Sequence, residues 1–320
     1  MPPQTQNIYD NPDFFTAYST LPRSQHGLRG APEWPVLRDM VLSNNSNTNA
    51  NTSNTNPETT NGLQNCKVLD LGCGYGWFSR WARDSACADF VRGIDVSERM
   101  IERAKKFDSD DGGYDSAPKS KHVISYQHHD LETLTLDQTD PDTYHVVYSS
   151  LAFHYISNLG SLFRQIHACL VKGGSSSGSP CQNNSKRGKL VFSVEHPVFS
   201  APVYPPQEWR DIPAVAAVKE EGRERGEQGE EEKGTTYTVW PLNSYCEEGL
   251  RETSWLGSER VRKYHRTIET YVTLLLESGF VVTGLKEWAP SREDVAAKKE
   301  WERERHRPYF LLVSAEPRCD

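Results

Sequence analysis

The feature that most constrains the fold of this chain is a glycine-rich loop between a short apolar strand and a helix. The stretch VLDLGCGYGWFSRWA runs from Val68 to Ala82. The apolar run Lys67 to Leu71 predicts the strand, and Trp77, Phe78 and Trp81 recur at helical spacing after the glycines. Glycine permits a tight turn and a close approach to a ligand, and free N–H groups at a helix start favour binding. The loop therefore predicts a ligand site at the carboxyl end of the first strand of an α/β sheet.

Strands and helices alternate along the rest of the chain. Ser97 is the expected N-cap of a helix that ends near Phe107, and Gly173 follows a helix that begins near Asn158. A further helix is expected from Thr267 to Glu277. Such alternation predicts a mostly parallel sheet with right-handed crossovers. The further strands expected from apolar runs are Phe90 to Val96, Val123 to Gln127, His145 to Ser149, Leu190 to Glu195, Phe280 to Leu285 and Tyr309 to Ser314.

The length and charge of the chain restrict its class. A chain of 320 residues suits one large α/β domain or two small ones. The net charge of -8 argues against nucleic acid as the main partner, because phosphate binding favours a basic face. No apolar run approaches the roughly 18–20 residues of a membrane helix, and the N-terminus lacks the basic and apolar regions of a signal peptide. We therefore expect a soluble, cytoplasmic protein without a membrane partner.

The cysteines and three polar segments suggest no chemistry of their own. None of the seven cysteines sits at C-x-x-C spacing, so we expect reduced thiols and no metal site. The segments from Ser43 to Gly62, Gly173 to Gly188 and Lys219 to Gly234 are dominated by small polar, glycine and charged residues. Because none can bury enough apolar surface to offset the entropy of ordering, we expect loose or disordered loops.

Three acidic residues narrow the ligand that the loop can hold. Asp70 precedes the glycines, Asp95 ends the second strand, and Asp130 follows the third. A dinucleotide fingerprint would place a third glycine where this chain has Trp77, and a bulky indole there argues against a bound pyrophosphate. A carboxylate at Asp95 suits ribose hydroxyls, a role shared with nicotinamide sites, and Asp130 suits an adenine amino group. These residues favour an adenosine-type ligand without phosphates.

Further motifs carry a resemblance to a known family. GIDVSERMIERAK, YQHHDLETL and YHVVYSSLAFHYISNL follow the glycine loop, and the set resembles the successive motifs of class I S-adenosylmethionine-dependent methyltransferases across Lys67 to Val171. NIYDNPDFFTAYSTLPRS, FSVEHPVFSAP, WPLNSY, KYHRT and RPYFLLVSA are similar to segments of a group of small bacterial and fungal methyltransferases. The resemblance implies a Rossmann-like, doubly wound sheet of seven strands in the order 3-2-1-4-5-7-6, with the last strand antiparallel. It also implies S-adenosyl-L-methionine as the cofactor.

The resemblance assigns cofactor-binding roles to matching positions. In related enzymes an N-terminal helix closes over the cofactor, so residues 1–42 form an expected cap. Tyr18 and Arg23 would contact the cofactor carboxylate there; the alternative is that Tyr18 packs and Arg23 is solvated. The other matching residues are Asp70, Gly72, Cys73 and Gly74 at the methionine part, Asp95 at the ribose, Val96, Met100, Asp130 and Leu131 around the adenine, and Ser149 near the sulfonium.

Histidines near strand ends are the candidate catalytic residues. Methyl transfer needs a base only where the acceptor carries a proton that must leave, and histidine suits that role near neutral pH. His154 follows the fourth strand, His196 follows the fifth beside Glu195, and His265 lies before the late helix. The alternatives are capping or packing for His154, a chain turn at His196-Pro197, and plain solvation around His265.

Aromatic residues concentrate between the fifth strand and the late helix, in a segment (196–262) that we expect to cover the substrate. A lid lined with rings would suit a flat or aromatic substrate, and a small local core is the alternative. The rings belong to Phe199, Tyr204, Trp209, Trp240, Tyr245 and Trp255.

The sequence predicts a single methyltransferase domain over residues 1–320. We expect methyl transfer to oxygen or nitrogen of a small-molecule acceptor. The alternatives are a nicotinamide-dependent oxidoreductase, which Trp77 argues against, and a non-catalytic binding module, which the three acids argue against.

Overall fold

The structure is a computed structural model that describes residues 7–43, 62–109, 123–173, 187–203, 208–213 and 236–318. The predicted loops at 43–62 and 173–188 lie outside the described residues except at their edges, and the loop at 219–234 lies wholly outside them. Within the described ranges, no helix is long and apolar enough to span a membrane.

A seven-stranded mixed sheet forms the centre of the molecule. Its strand order is β3-β2-β1-β4-β5-β11-β10, and β11 runs antiparallel to both of its neighbours while the other pairs are parallel. The predicted Rossmann-like order, with an antiparallel last strand, is confirmed. In chain order the strands are β1 (Lys67–Leu71), β2 (Phe90–Asp95), β3 (Val123–His128), β4 (Val146–Ser150), β5 (Lys189–Glu195), β6 (Arg210–Pro213), β7 (Thr236–Val239), β8 (Gly249–Trp255), β9 (Ser258–His265), β10 (Phe280–Trp288) and β11 (Phe310–Pro317).

Two predicted helices begin at capping side chains: Ser97, the expected N-cap, and Thr267, the expected first residue of the late helix. The Ser97 hydroxyl accepts a hydrogen bond from Met100 N at 3.1 Å, and Thr267 accepts one from Thr270 N at 3.2 Å. The α-helices are α1 (Pro12–Tyr18), α2 (Pro22–His26), α3 (Trp34–Leu42), α4 (Trp77–Asp84), α5 (Glu98–Ser109), α6 (Leu136–Thr139), α7 (Leu159–Cys169), α8 (Pro197–Ser200), α9 (Ile268–Glu277) and α10 (Arg292–Ala297).

Apolar layers cover both faces of the sheet. On one face α3 and α4 pack Leu37 and Phe78 into a cluster with Val68 of β1. On the other face α7 packs Phe163 into a cluster with Leu69 of the same strand. Neighbouring residues of β1 join opposite layers because successive side chains of a strand point to opposite faces. The two layers cover the sheet, and the loops at its carboxyl edge form the candidate site.

Two antiparallel strand pairs, β6–β7 and the β8–β9 hairpin, lie outside the main sheet and were not predicted. Burial along β8 alternates, but its half-buried positions include polar residues such as Arg251 and Thr253. Periodicity of apolar residues therefore gives no strand signal there. The β8–β9 hairpin matters for function because it brings Trp255 and Lys263 to the carboxyl edge of the sheet.

Candidate functional site

The glycine loop after β1 adopts a backbone that side chains would disturb. Gly72 has a φ of 75°, and a Cβ there would lie 2.5 Å from the Cβ of Ala152. A Cβ at Gly76 would lie 2.4 Å from the Tyr126 hydroxyl. A Cβ at Gly74, by contrast, would meet no described heavy atom within 4 Å, so its backbone borders open space. The loop is thus built to let its backbone touch a ligand.

A cavity of about 910 Å³ opens beside this loop. It lies at the carboxyl ends of β1 to β5, where open α/β sheets bind ligands. The structure brings most of the predicted cofactor residues to its wall: Tyr18, Arg23, Gly72, Gly74, Asp95, Val96, Met100, Asp130 and Leu131.

Asp95 organises the loop as well as facing the cavity. One carboxylate oxygen accepts a hydrogen bond from Gly74 N at 2.8 Å, and the other accepts one from Ser97 N at 2.9 Å. Burial raises the pKa of Asp95 to about 6. Each oxygen keeps a lone pair for a further donor such as a ribose hydroxyl.

Asp70 and Cys73 lie beside the main cavity, in a smaller one of about 90 Å³. The two cavities share Arg23 and Gly72, among other residues. The Asp70 carboxylate accepts a hydrogen bond from the Ser79 hydroxyl at 2.6 Å, and burial raises its pKa to about 7. Burial also raises the pKa of the Cys73 thiol, which keeps it protonated.

The N-terminal helices line the cavity from above the loop. The Arg23 guanidinium, which was a candidate for solvation, is paired with the fully buried Glu33 at 2.8 Å. The ring of Tyr18 packs edge-on against Tyr9 and Tyr75, with centroids 5.3 and 6.0 Å away. Tyr18 thus both packs and borders the cavity, so the two interpretations of this residue are compatible.

Ser149 does not border the cavity. It is fully buried, and its hydroxyl donates to Leu71 O at 2.8 Å, which ties β4 to β1. The adjacent Ser150 lines the cavity instead, followed by Leu151 and Ala152. Leu151 has a φ of 55°, an unusual value for a residue with a branched side chain. The sequence indicates that the chain turns after β4. It does not indicate which of the two neighbouring serine side chains faces the cavity.

Among the three candidate histidines, only His154 lines the cavity. Its ring is buried, and Nδ1 accepts a long hydrogen bond from Glu195 N at 3.5 Å. Burial lowers the pKa of His154 to about 4, so the imidazole is neutral at physiological pH.

The other two histidines serve buried hydrogen-bond networks. His196 Nδ1 accepts from Val198 N at 3.1 Å and caps α8, while Nε2 lies 2.9 Å from a Glu287 carboxylate oxygen. His265 lies between the Ser200 hydroxyl at 2.8 Å and Tyr245 O at 2.9 Å. Neither ring borders the cavity.

An ion pair on the cavity wall was not predicted. Lys263 Nζ lies 2.6 Å from Oε1 of Glu195, and both side chains are largely shielded from solvent. The pair joins the end of β5 to β9, at a sequence separation of 68 residues. Glu195 had been noted for its place beside His196, whereas Lys263 had been noted only as the first residue of the KYHRT segment, with no role assigned to it. Tyr9 was also missed; its hydroxyl lies 3.2 Å from that of Tyr155 at the cavity.

The aromatic segment divides between lid and core. Phe199 and Trp255 line the cavity, as a lid would. Trp209 and Trp240 instead surround the buried Arg307, whose guanidinium carbon lies 5.2 and 3.9 Å from their ring centroids. Tyr245 packs against the His265 ring, and Tyr204 lies outside the described residues.

No metal centre is evident in the part of the chain that the structure describes. Within it, no group of three or more His, Cys, Asp or Glu side chains could hold an ion.

Known proteins are similar to this chain in architecture and in sequence. The family model described as a methyltransferase domain matches residues 68–174. The crystal structure of an S-adenosylmethionine-dependent methyltransferase from Mesorhizobium loti is 33% identical, with a TM-score of 0.62, over 91% of this chain and 100% of that one. An uncharacterized protein of Haemophilus influenzae is 26% identical over 97% of this chain and 96% of its own length. A malonyl-[acyl-carrier protein] O-methyltransferase of Erwinia billingiae is 30% identical over 35% of this chain and 37% of its own.

Proposed function

This chain belongs to the S-adenosylmethionine-dependent methyltransferases, and from that membership we propose that it methylates oxygen or nitrogen of a small molecule. S-adenosylmethionine is the cofactor; it supplies a methyl group on a sulfonium sulfur, which leaves with the bonding electrons as S-adenosylhomocysteine. The chain contributes the site in which donor and acceptor meet. Because the leaving group is good, holding the acceptor in line is the main task of the protein.

The main support for this proposal is that a single cavity extends across the carboxyl edge of the sheet. The strand order places Gly74 and Asp95, after β1 and β2, on one half of the carboxyl edge. His154 and Glu195, at the ends of β4 and β5, lie on the other half. All four residues line the same 910 Å³ space. That volume falls within the range of small-molecule sites and leaves room for an acceptor beside the cofactor.

We call the half of the cavity that is lined by Gly74 and Asp95 the donor half. It fits an adenosine with an amino-acid tail. We assign the ribose hydroxyls to Asp95, whose oxygens keep unused lone pairs, and the adenine to Val96, Met100, Asp130 and Leu131. We assign the amino-acid part to the glycine loop with Asp70 and Arg23, which present opposite charges to one region. Ser150, not Ser149, would border the reacting sulfur, because only Ser150 faces the cavity.

His154 is the histidine that we assign to the acceptor, and His196 and His265 we assign to the framework. Since Nδ1 of His154 accepts from a backbone N–H, the neutral ring carries its proton on Nε2. A ring with a pKa of about 4 is a weak base, so His154 positions the acceptor more than it removes a proton. The described parts of the cap (residues 7–42 of the expected 1–42) and of the segment 196–262 would close the two ends of the site within a single domain.

The relative from Erwinia billingiae is named as an O-methyltransferase of a carrier-protein substrate. Its match spans about a third of this chain, at 35%. We therefore keep oxygen acceptors within the proposal.

Calorimetric titration with S-adenosylmethionine and with NAD(P)⁺ tests the donor. We expect micromolar or tighter binding of the first and no comparable binding of the second; tighter NAD(P)⁺ binding would sink the proposal. Incubation with S-adenosylmethionine and a metabolite extract then tests transfer, with S-adenosylhomocysteine measured by mass spectrometry. If the donor binds but no extract yields S-adenosylhomocysteine, the chain is a binding module.

A further inference from the structure

We call the half of the cavity that is lined by His154 and Glu195 the acceptor half. It contains a buried carboxylate, one oxygen of which forms no hydrogen bond to a described residue. Oε1 of Glu195 is bound to Lys263 at 2.6 Å, whereas Oε2 is buried and has no hydrogen-bond partner among the described residues. A buried carboxylate oxygen without a donor costs free energy, so its retention on a ligand-sized cavity indicates that the ligand supplies the donor. Glu195 lines the same cavity as the donor site.

Glu195 is an anion in the free protein. Burial alone would raise its pKa, but the Lys263 ammonium outweighs burial and holds the pKa below its ordinary value. Lys263 is in turn paired with Glu195 and lies 5.1 Å from the ring centroid of Trp255, so its positive charge is balanced by the carboxylate. The uncommitted group at this end is therefore a hydrogen-bond acceptor with negative charge.

The surrounding wall also stabilises positive charge that develops on an acceptor. Among the described residues that line the acceptor half, the charged side chains are three carboxylates and two cations, beside the neutral His154: Glu195, Glu208, Glu252, Arg251 and Lys263. The rings of Tyr155, Phe199, Trp255 and Tyr309 complete this wall, and ring faces attract cations.

We propose that the methyl acceptor is a primary or secondary amine whose nitrogen donates a hydrogen bond to Oε2 of Glu195; this rests on the proposed methyl transfer and narrows its substrate. The lone pair of the neutral amine forms the new N–CH₃ bond while the S–CH₃ bond breaks and its electrons pass to sulfur. The positive charge moves from sulfur to nitrogen, and the N–H proton leaves to solvent after release.

This movement of charge is the reason for choosing an amine. A fixed carboxylate beside the nitrogen stabilises the charge that develops there in the transition state. An acceptor that reacts as a carboxylate or alkoxide loses charge during transfer, and Oε2 would repel it in the ground state. Glu195 is thus a specificity-determining residue that discriminates among acceptors by charge.

Binding of matched fragments tests the proposal directly. Benzylamine, benzyl alcohol and benzoate are similar in size, and each is titrated into the full chain saturated with S-adenosylhomocysteine. We expect benzylamine to bind at least about tenfold more tightly than the other two, as for one charged hydrogen bond. Benzoate or benzyl alcohol binding as tightly as benzylamine, or no benzylamine binding, would overturn the proposal.

Variants separate recognition from folding. Glu195→Gln should abolish the preference for benzylamine while S-adenosylhomocysteine binding persists. Because Glu195→Gln leaves Lys263 buried without its counter-ion, the double variant Glu195→Gln/Lys263→Met removes both charges and protects the fold. The matched control is Glu277→Gln, an exposed carboxylate at the end of α9 that should keep the preference. A preference that survives in the double variant would also overturn the proposal.

Fractions of a metabolite extract distinguish failure of the amine assignment from failure of the proposed methyl transfer. A metabolite extract is divided on ion exchangers, and S-adenosylhomocysteine release is measured with each fraction. Release with the cation-exchange fraction that Glu195→Gln slows by about tenfold or more supports the amine. Release only with the anionic fraction overturns the amine yet keeps methyl transfer, and release with no fraction overturns both.

Discussion

Oδ2 of Asp95 accepts a hydrogen bond from the backbone N–H of Gly74 at 2.8 Å. The end of β2 thereby holds the glycine loop that follows β1. The same carboxylate binds Ser97 N at 2.9 Å and so also holds the start of α5. One side chain shapes the loop, binds the start of the next helix and faces the cavity.

Replacing Asp95 should therefore weaken the donor site. We expect Asp95→Ala to reduce the binding free energy of S-adenosylmethionine by about 1–3 kcal/mol, the range for a buried partner that is lost. Calorimetry measures the change, and circular dichroism checks that the variant is folded. Unchanged affinity in a folded variant would show that the ribose does not bind there.

Affinity for S-adenosylhomocysteine should depend on pH. Burial raises the pKa of Asp70 to about 7 and that of Asp95 to about 6 in the free protein. As pH falls through these values the carboxylates take up protons that a ligand ammonium or hydroxyl group must displace, so affinity falls. The dissociation constant should rise by up to about tenfold per pH unit for each proton displaced.

Calorimetry between about pH 8 and pH 5.5 follows the change. Asp70→Asn should bind more weakly at the upper end and lose the dependence centred near pH 7, the value to which burial raises the Asp70 pKa. A pH-independent dissociation constant would contradict both assignments.

Asp10 links the N-terminal segment to the helix after β2. Its carboxylate accepts from the Ser97 hydroxyl at 2.5 Å and from Arg99 N at 3.2 Å, so it acts as a cap on α5 from outside. Asp10→Ala should cost about 1 kcal/mol of stability and loosen the segment that carries Tyr18. Hydrogen exchange of residues 7–18 and urea unfolding measure the two effects.

The contribution of Asp10 should also depend on pH. Burial would raise the Asp10 pKa, but the hydrogen bonds to Ser97, Arg99, Asn7 and Glu98 lower it on balance below 3.8. Because the Asp10 pKa is lower in the folded protein than in the unfolded chain, the stabilisation is complete above the pKa of the unfolded state. It is lost as pH falls through the pKa of the folded state. A stability difference between wild type and Asp10→Ala that grows in acid would contradict this assignment.

Arg307 supports the aromatic core beneath the lid. Its guanidinium carbon lies 3.9 Å from the ring centroid of Trp240 and 4.6 Å from that of Phe199, and Glu304 pairs with it. Arg307→Met should destabilise the protein by about 2 kcal/mol, the scale of a desolvated cation–π contact. Urea unfolding followed by tryptophan fluorescence measures this. Arg307→Lys should recover part of the loss, and Arg292→Met, at an exposed position, should change stability by no more than about 0.5 kcal/mol.

Part of the proposed donor half was predictable from the sequence because the glycine loop, Asp95 and Asp130 each have a local signal. The glycine loop follows β1, Asp95 is the last residue of β2, and Asp130 lies two residues after the end of β3. Parallel strands present their carboxyl ends at one edge, so the three features had to meet. The strands themselves were predictable from apolar patterns, whereas their order was expected only from the motif resemblance, which the structure confirms.

The acceptor half was decided by the tertiary structure. His154, His196 and His265 carry similar local signals, yet only His154 reaches the cavity, because packing sets the direction in which each ring points. Lys263 meets Glu195 across 68 residues, through a hairpin whose polar composition hides its strands. The sequence by itself thus determined the sheet and the methyl donor, which depend on short-range patterns. Only long-range packing decided which charges face the acceptor.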